Sequence, residues 1–585
     1  MDCDDNGIRG GSSTRLPPSS SLTENDLVED IGDLHINSSP STSYRSLNDL
    51  PVEILREIVE ELTPHEHRYD WDWDYCSVCH GGEKYELDQS DIRNLRLVNR
   101  LFCELASPLL LPHIHIDISQ TALDTLEQLL VMPRLASGVR SIKLQMAYRT
   151  KALAEAPVYF TNTRLQLLNK QVERYGVGRN PTPNIGFLDS HGEFISEPAE
   201  SCEAASNFDE ICKSWSLMME IWEEPAFDTS QQCERDEWSS ILRNSYERFK
   251  ALHLEQSRLV EDGIFTQKVA SAIKRLGKVE HLVFYNTNHS KRCQFMEESD
   301  LAEYHPNILL DKAALTSWLE AGLSWKINEA LFSNGSNFVA RLLTDLPVAI
   351  HQAGHHLKSL VVNAFPRKGD YSMILPPTKD RDSLLHQLRI SCQDLQSVHI
   401  DHHTHPPPTR TAPIEGQDKE IIDGYISAVI SSPKLKTLNI DLTCFGLHLE
   451  GGSRPGDGYH LGPALSKCPP FPYLKELRVC GVKLDQQEFF TFVQGVGHRL
   501  RRLYVDVKLQ NGSWVSILEL LRDRLAAQLP GIVKWGLYTI GLRLKGGEIL
   551  DAGFLGDSGT YESEDVINVG AMDYLFGVVE DNPFL

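Results

Sequence analysis

Five residues that could ligate a metal ion lie within sixteen positions of this 585-residue chain: His65, His67, Cys76, Cys79 and His80. Two neighbouring thiolates with two imidazoles suit tetrahedral zinc, and an ion could fix a segment that is otherwise too polar to fold. The C-x-x-C-H spacing also matches covalent haem attachment, but no export signal opens the chain. The alternative to zinc is two free thiols in a loop.

A second polar cluster, HIDHHTH, spans residues 399–405 at the end of a predicted strand. Asp401 is the one carboxylate close to these histidines in sequence, and no thiol is near. The pattern therefore favours a polar loop at the end of a strand over a metal site.

Enzyme signatures are absent from the sequence. It contains no glycine-rich phosphate loop with its lysine, no G-x-S-x-G elbow and no H-E-x-x-H helix. We therefore expect a non-catalytic protein without a cofactor. A zinc-dependent sensor or enzyme centred on Cys76 and Cys79 is the alternative, and it predicts stoichiometric zinc in the purified protein.

The formal net charge of −24 argues against a general nucleic-acid surface or an anionic-membrane surface, because both need clustered Lys and Arg. From the sequence we expect neither a signal peptide nor an apolar run long enough to span a membrane. The twelve cysteines follow no disulfide framework. We expect reduced thiols and a location in the cytoplasm, the nucleus or both.

Two amphipathic helical blocks, residues 46–62 and 90–116, lie on either side of the zinc candidates. Pro51 suits a first helical turn, where its missing N–H needs no partner. Apolar side chains recur in both blocks at helical spacing. They are Ile54, Leu55, Ile58, Leu62, Ile92, Leu95, Val98, Phe102 and Leu105.

The order of these blocks, Leu-Pro-x-Glu-Ile-Leu, Leu-Arg-Leu-Val-x-Arg-x-Phe and a Pro-Leu-Leu-Leu exit, resembles an F-box. The resemblance implies that residues 46–112 form three small helices that dock on a Skp-type adaptor and, through it, on a cullin ubiquitin ligase. Carried over by position, the adaptor contacts would be Leu50, Pro51, Ile54, Leu55, Ile58, Val98 and Phe102. The same residues could instead form the core of a small helical subdomain, and some must do both.

Residues 63–90 depart from the F-box pattern, because only a short turn is expected between the blocks. Such a polar, aromatic-rich insert is a surface excursion, and it could weaken or remodel adaptor docking.

A short apolar-x-x-apolar-x-apolar segment recurs along the rest of the chain, and its final alternation is typical of a strand. Apolar, helical-looking segments precede most copies. The copies are residues 139–144, 279–284, 357–362, 395–400, 435–440, 474–479 and 500–505.

The repeated strand–helix unit resembles an irregular leucine-rich repeat, in which neighbouring units must stack to bury their faces. The fold we predict is a three-helix F-box followed by an irregular (β/α) leucine-rich-repeat solenoid over residues 113–550. The turn Asn or Cys of that family is missing, and the number of units between residues 145 and 355 stays open. The residues found at that turn position are Phe365, His403, Thr443, Val482 and Lys508. The alternative is an ordinary α/β domain with Leu-rich strands.

The remaining segments read as surface or flanking regions. Residues 1–45 are Ser- and Pro-rich and are predicted to be disordered. Residues 406–420 and 450–460 are predicted to be long surface loops on one face, where a solenoid commonly binds its partner. Residues 551–585 read as a solvated acidic tail, and capping of the solenoid by residues 572–576 is the less favoured reading.

Together these features predict the substrate-recognition subunit of a Skp–cullin–F-box ubiquitin ligase, whose solenoid binds an unidentified target protein. A ligase-independent leucine-rich-repeat scaffold is the alternative from a different class. The two differ in whether the adaptor co-purifies with the chain.

Overall fold

The structure is a computed structural model of the chain. It describes residues 51–61, 89–177, 232–285, 312–323, 325, 328, 338–366, 371–375, 381–401, 416–442, 458–525, 539–546, 571–575 and 579–583. The chain divides into two compact units, Met1–Arg56 and Glu57–Leu585. The predicted disordered segment 1–45 and residues 63–88 of the insert lie outside the described residues.

Sixteen α-helices occur in the described part of the chain, in addition to a short helical segment at residues 571–575. The first three, α1 to α3, fall in the F-box-like region, and a 3₁₀ turn, Ser107–Leu110, follows them. The helices are α1 Val52–Glu61, α2 Gln89–Val98, α3 Arg100–Ala106, α4 Gln120–Leu130, α5 Pro133–Ala136, α6 Lys151–Glu155, α7 Pro157–Val177, α8 Gln232–Glu261, α9 Ile264–Leu276, α10 Lys312–Glu320, α11 Leu342–Gln352, α12 Arg381–Ser391, α13 Gly416–Val429, α14 Gly462–Leu465, α15 Gln486–Gln494 and α16 Val515–Arg524.

The second predicted helical block is broken at Asn99. This residue has extended φ and ψ values of −163° and 177°, and its side-chain oxygen accepts a hydrogen bond of 2.9 Å from the backbone N–H of Phe102. Asn99 therefore caps α3 and separates it from α2. The helical spacing read from Ile92 to Leu105 consequently does not describe one continuous face.

The chain is an α/β protein whose main sheet follows nine parallel strands that alternate with helices. Neighbouring strands in the sheet follow one another along the chain, and a further two-residue strand, β7, pairs with β8. The strands are β1 His113–Ile116, β2 Ser141–Gln145, β3 His281–Tyr285, β4 Ser359–Val362, β5 Ser397–Asp401, β6 Thr437–Asp441, β7 Tyr459–His460, β8 Glu476–Leu484, β9 Arg502–Leu509 and β10 Thr539–Gly546.

The seven strand segments predicted from the repeated pattern are confirmed as β2 to β6, β8 and β9. Their central apolar residues align in one cross-strand row, so all seven segments share one register. The row continues into β1 and β10, whose surrounding sequences at 111–116 and 537–542 fit the same pattern but were not recognised. The full row is Ile114, Ile142, Leu282, Leu360, Val398, Leu438, Leu477, Leu503 and Ile540.

This row belongs to the inner face of the sheet, which packs against the helices in one continuous apolar core. Leu282 and Leu360 are 0% exposed, as are Val269 of α9 and Ile350 of α11. Register is strongly fixed by such burial, because a slip of one residue would turn every inner side chain to the other face.

A second apolar cluster is built from α6, α7, α8 and α10, which lie between β2 and β4 in sequence. Leu153, Phe160, Phe249 and Leu315 are fully buried in it. The region is therefore a helical insertion within the strand–helix series, and α8 carries Trp238 of this cluster.

The C-terminal segment differs from the solvated tail favoured by its composition. Residues 571–575 are helical, and Tyr574 and Leu575 are buried in the main core. The guanidinium of Arg522 on α16 lies 4.4 Å from the centre of the Tyr574 ring. Apolar side chains spaced within an acidic stretch are thus enough to dock it on the last helix.

The two predicted surface loops are also shorter than expected. Residues 416–420 form the start of α13, and residues 459–460 form β7, which pairs in parallel with β8. Residues 406–415 and 450–457 lie outside the described residues.

Candidate functional site

Helix α1 carries one buried and one exposed apolar row. Leu55 and Val59 are 0% and 1% exposed, whereas Ile54 and Ile58 are 42% and 37% exposed. Each row has a spacing of four residues, which places its two members on one side of the helix. These two apolar side chains are thus available for contact with a partner that would remove them from water.

Helix α2 also ends in exposed apolar side chains. Leu97 is 83% exposed and Val98 is 63% exposed, whereas Ile92 is 3% exposed. Phe102, one helix further on, is 3% exposed, because the break at Asn99 turns α3 away from the direction of α2. Sequence reasoning did not single out Leu97, although a leucine beside a helix break gives a weak signal.

The predicted adaptor contacts thus fall into two groups. Pro51, Ile54, Ile58 and Val98 are at the surface. Leu55 and Phe102 are buried, where they support the helices. Leu50 lies outside the described residues.

The segment α2–α3 and its 3₁₀ turn are anchored to the first strand–helix unit of the sheet. Arg134 on α5 forms an ion pair of 3.2 Å with Glu104 on α3. Gly138 approaches Pro108 so closely that an added Cβ would lie 1.6 Å from the Pro108 carbonyl oxygen. Only a glycine fits at this contact, and the exposed end of α2 is thereby held in a fixed position relative to the sheet.

The predicted zinc ligands, His65, His67, Cys76, Cys79 and His80, lie outside the described residues. His399 of the second histidine cluster is on β5, 4% exposed, with its Nε2 2.8 Å from the hydroxyl of Ser397. Residues 402–405 are outside the described part.

One group of possible metal ligands is found among the described residues: His460, Asp485 and Glu488, whose ligand atoms lie within 4.8 Å of one another. Asp485 and Glu488 form the capping box that begins α15. The His460 ring nitrogen Nε2 lies 2.9 Å from a Glu488 oxygen. The helix start and this pair account for all three side chains, so the arrangement is structural without any ion.

The outer face of the sheet, which alternates with the inner row, is polar on β5 and β6, whereas Val283 and Val361 make it apolar on β3 and β4. On this face, Arg478 of β8 donates a hydrogen bond of 3.0 Å to Asp441 on the neighbouring strand β6. The same guanidinium lies 5.2 Å from the centre of the Tyr504 ring. Asp441 is 3% exposed, so this ion pair is largely shielded from water. Around Arg478 the outer face therefore offers fixed polar groups rather than an apolar surface.

Comparison with known proteins gives no relative for this chain. No protein-family model matches the sequence, no curated protein matches it, and no solved structure matches it. Among the described helices, none is long and apolar enough to cross a membrane.

Proposed function

We propose that the chain is the substrate-recognition subunit of a Skp–cullin–F-box ubiquitin ligase. The observation that carries this proposal is the position of the exposed apolar side chains. Of twelve large apolar side chains exposed in the described part, five lie on the twenty residues of α1 and α2. They are Val52, Ile54, Ile58, Leu97 and Val98.

Such side chains gain free energy when a partner removes them from water. Full burial of one aliphatic side chain contributes about 1.5–3 kcal/mol, and partly exposed ones contribute less. The F-box-like order of the two sequence blocks favours a Skp-type adaptor as that partner. In this proposal Leu55 and Phe102 act indirectly, by holding the helices that present the exposed side chains.

The sheet supports a leucine-rich-repeat solenoid as the target-binding part. Its nine main strands pair in the order in which they occur along the chain, so each strand–helix unit contributes one strand to the sheet. Units that contact only their neighbours are the feature that defines repeat proteins. The helical insertion between β2 and β4 makes this proposed solenoid irregular.

The mechanism would be proximity. The chain would hold a lysine of its target near a conjugating enzyme that carries ubiquitin. The raised effective concentration of the lysine would favour transfer of the ubiquitin, while other subunits supply the chemistry.

Co-purification with a Skp-type adaptor tests the proposal. The wild-type chain is compared with an Ile54→Asp, Val98→Asp variant, in which two exposed apolar side chains become carboxylates. Because both positions are exposed, the variant should keep its fold but lose the adaptor, since a carboxylate without a partner is costly to bury.

The matched control is Leu254→Asp on α8, where the side chain is 61% exposed outside the F-box-like region. This control should retain the adaptor. If the folded wild-type chain does not bind the adaptor, the ligase-independent scaffold replaces the proposal.

A further inference from the structure

The turn between α4 and α5 exposes two apolar side chains. Val131 and Met132 both lie largely in water, although Gly, Pro and small polar residues dominate turns. The backbone of this turn is fixed by hydrogen bonds. The Met132 N–H donates one of 2.9 Å to the Leu129 carbonyl oxygen, and the Met132 carbonyl oxygen accepts one of 2.9 Å from the Ala136 N–H. Both side chains are therefore presented by a rigid backbone, which lowers the entropy cost of binding a partner.

This turn belongs to the same part of the structure as the exposed end of α2. The 3₁₀ turn Ser107–Leu110 contacts α2, α3 and α5. On α2, the Nε of Arg96 donates a hydrogen bond of 3.0 Å to the hydroxyl of Ser107, and the exposed Leu97 is the next residue. On the other side, Gly138 follows α5 and lies against the 3₁₀ turn. The end of α2 and the α4–α5 turn are thus attached to one four-residue segment.

A charged cluster connects the two exposed apolar pairs. The Oε1 atom of Glu104 accepts hydrogen bonds of 3.2 Å from both Arg100 and Arg134. Arg100 comes two residues after Val98, and Arg134 comes two residues after Met132. Both arginine side chains are more than half exposed. Two guanidinium groups share one carboxylate, so the cluster keeps one positive charge that a carboxylate of a partner would complement.

The surface of α1 and α2 is small for a stable protein complex. A standard interface takes about 800 Å² and about 20–30 residues from each partner. The two helices comprise twenty residues, and Leu55, Val59 and Ile92 are among the buried ones. A stable complex built on these helices therefore needs further surface. Among the described residues, Val131 and Met132 are the next large apolar side chains along the chain that are exposed.

We propose that the adaptor interface continues from α2 onto the α4–α5 turn. In this interface Val131 and Met132 contact apolar side chains of the adaptor, and the guanidinium groups of Arg100 and Arg134 bind one of its carboxylates. This inference rests on the function proposed above. The first strand–helix unit of the sheet would then contact the adaptor directly.

Isothermal titration of the full-length chain with a Skp-type adaptor tests the inference. The variant Val131→Asp, Met132→Asp should bind the adaptor at least about tenfold more weakly, because two carboxylates would be buried in an apolar contact. The fold should persist, since both positions are exposed and Asp suits the residue that precedes α5. The milder variant Val131→Thr, Met132→Gln should weaken binding in the same direction.

The matched control is Val158→Asp, Leu254→Asp. It changes one valine and one longer aliphatic side chain, both exposed, on α7 and α8 of the helical insertion. It also adds the same two negative charges to the chain. This control should bind the adaptor like the wild type, which separates a local contact from a general effect of charge.

A single variant, Arg100→Gln, tests the contact with a carboxylate. It should bind more weakly than the wild type, and its affinity should depend less on salt. The control Arg258→Gln removes the arginine of another exposed i,i+4 ion pair, with Asp262 on the far side of the helical insertion in sequence. It should leave both the affinity and its salt dependence unchanged. Identical behaviour of Arg100→Gln and the wild type would overturn the assignment of a partner carboxylate.

The outcomes separate this inference from the proposed function. Wild-type affinity of both variants at Val131 and Met132 would overturn the extended interface and leave adaptor binding by α1 and α2 in place. A folded wild-type chain that does not bind the adaptor would overturn both. If the Asp variant binds the adaptor normally but loses self-association in sedimentation, the occupant of the turn is a second copy of the chain, and the inference is wrong.

Discussion

Arg164 on α7 is the most unusual single residue of the helical insertion. It is 0% exposed, and in the described part of the chain no carboxylate pairs with it. Its guanidinium donates a 2.5 Å hydrogen bond to the Ala321 carbonyl and lies 4.9 Å from the centre of the Trp318 ring. Burial lowers the pKa of Arg164 well below its ordinary value. Cation–π contacts offset only part of the cost of burying this charge.

Replacing the charge with an apolar side chain of similar length should therefore cost little. We predict that Arg164→Met leaves the free energy of unfolding unchanged or raises it by about 1–3 kcal/mol. Arg164→Ala should lower it by about 2–4 kcal/mol, because it leaves a cavity among the aromatic rings. Urea unfolding of the three proteins measures both effects. Equal losses in the two variants would show that the charge itself is needed.

His253 on α8 gives the insertion a dependence on pH. The side chain is 7% exposed, and its Nδ1 lies 2.6 Å from the Arg149 carbonyl oxygen. Burial lowers the pKa of His253, against the opposing effect of this hydrogen bond. The unfolded chain consequently takes up a proton at this histidine at a higher pH than the folded chain does.

Stability should therefore fall as the pH drops below the ordinary histidine pKa of about 6.5, and it should be fully present above that pH. We predict that His253→Gln, which keeps an N–H donor, reduces this loss between about pH 7.5 and 5.5. The urea midpoint of both proteins across that range is the measurement. Identical pH profiles would contradict the prediction.

At the scale of the elements, the strands were the most predictable part. Six-residue segments such as 435–440 show an apolar pattern that follows directly from burial of one strand face, so they could be recognised as strands in advance, while their common register is seen only in the structure. The β1 segment carries the same pattern, but its position next to the F-box-like exit hid it. The short strand β7 has only two residues, of which Tyr459 alone is buried in the core. It is therefore too short to show the pattern.

The candidate surfaces were less predictable than the strands. Helical spacing alone placed Ile54 and Leu55 in one apolar stripe, yet one is exposed and the other is buried. Which side faces water depends on packing partners from distant parts of the sequence. Strand β8 shifts its register at Gly481, which has a φ of +65°, and a glycine within a strand pattern is only a weak signal of such a bulge.

Among the described glycines, Gly138 should be the position where an added methyl group lowers stability most. An added Cβ would lie 1.6 Å from the Pro108 carbonyl oxygen, so the 3₁₀ turn would have to move away from the sheet. We predict that Gly138→Ala lowers the free energy of unfolding by more than about 2 kcal/mol.

The control for this variant is Gly354→Ala. Gly354 has a φ of +83° and no atom within 4 Å of an added Cβ, so the substitution costs backbone strain alone, about 1–2 kcal/mol. Thermal unfolding of the two variants compares them. A Gly138→Ala chain as stable as the wild type would show that the close contact with Pro108 is not maintained.

At the scale of the whole molecule, nine strands pair in chain order, while the exposed apolar side chains are concentrated on α1 and α2. We propose that α1 and α2 bind the adaptor and that the strand–helix units bind the target, so that one chain contacts both partners. This division of roles is the central claim of the account.

Isothermal titration of the full-length chain with a purified Skp-type adaptor tests that claim most directly. We expect one adaptor per chain, with a dissociation constant of about 1 μM or tighter, corresponding to about −8 kcal/mol. The Ile54→Asp, Val98→Asp variant should show no heat of binding under the same conditions. Absence of binding by the folded wild-type chain at tens of micromolar (about −6 kcal/mol or weaker) would contradict the account.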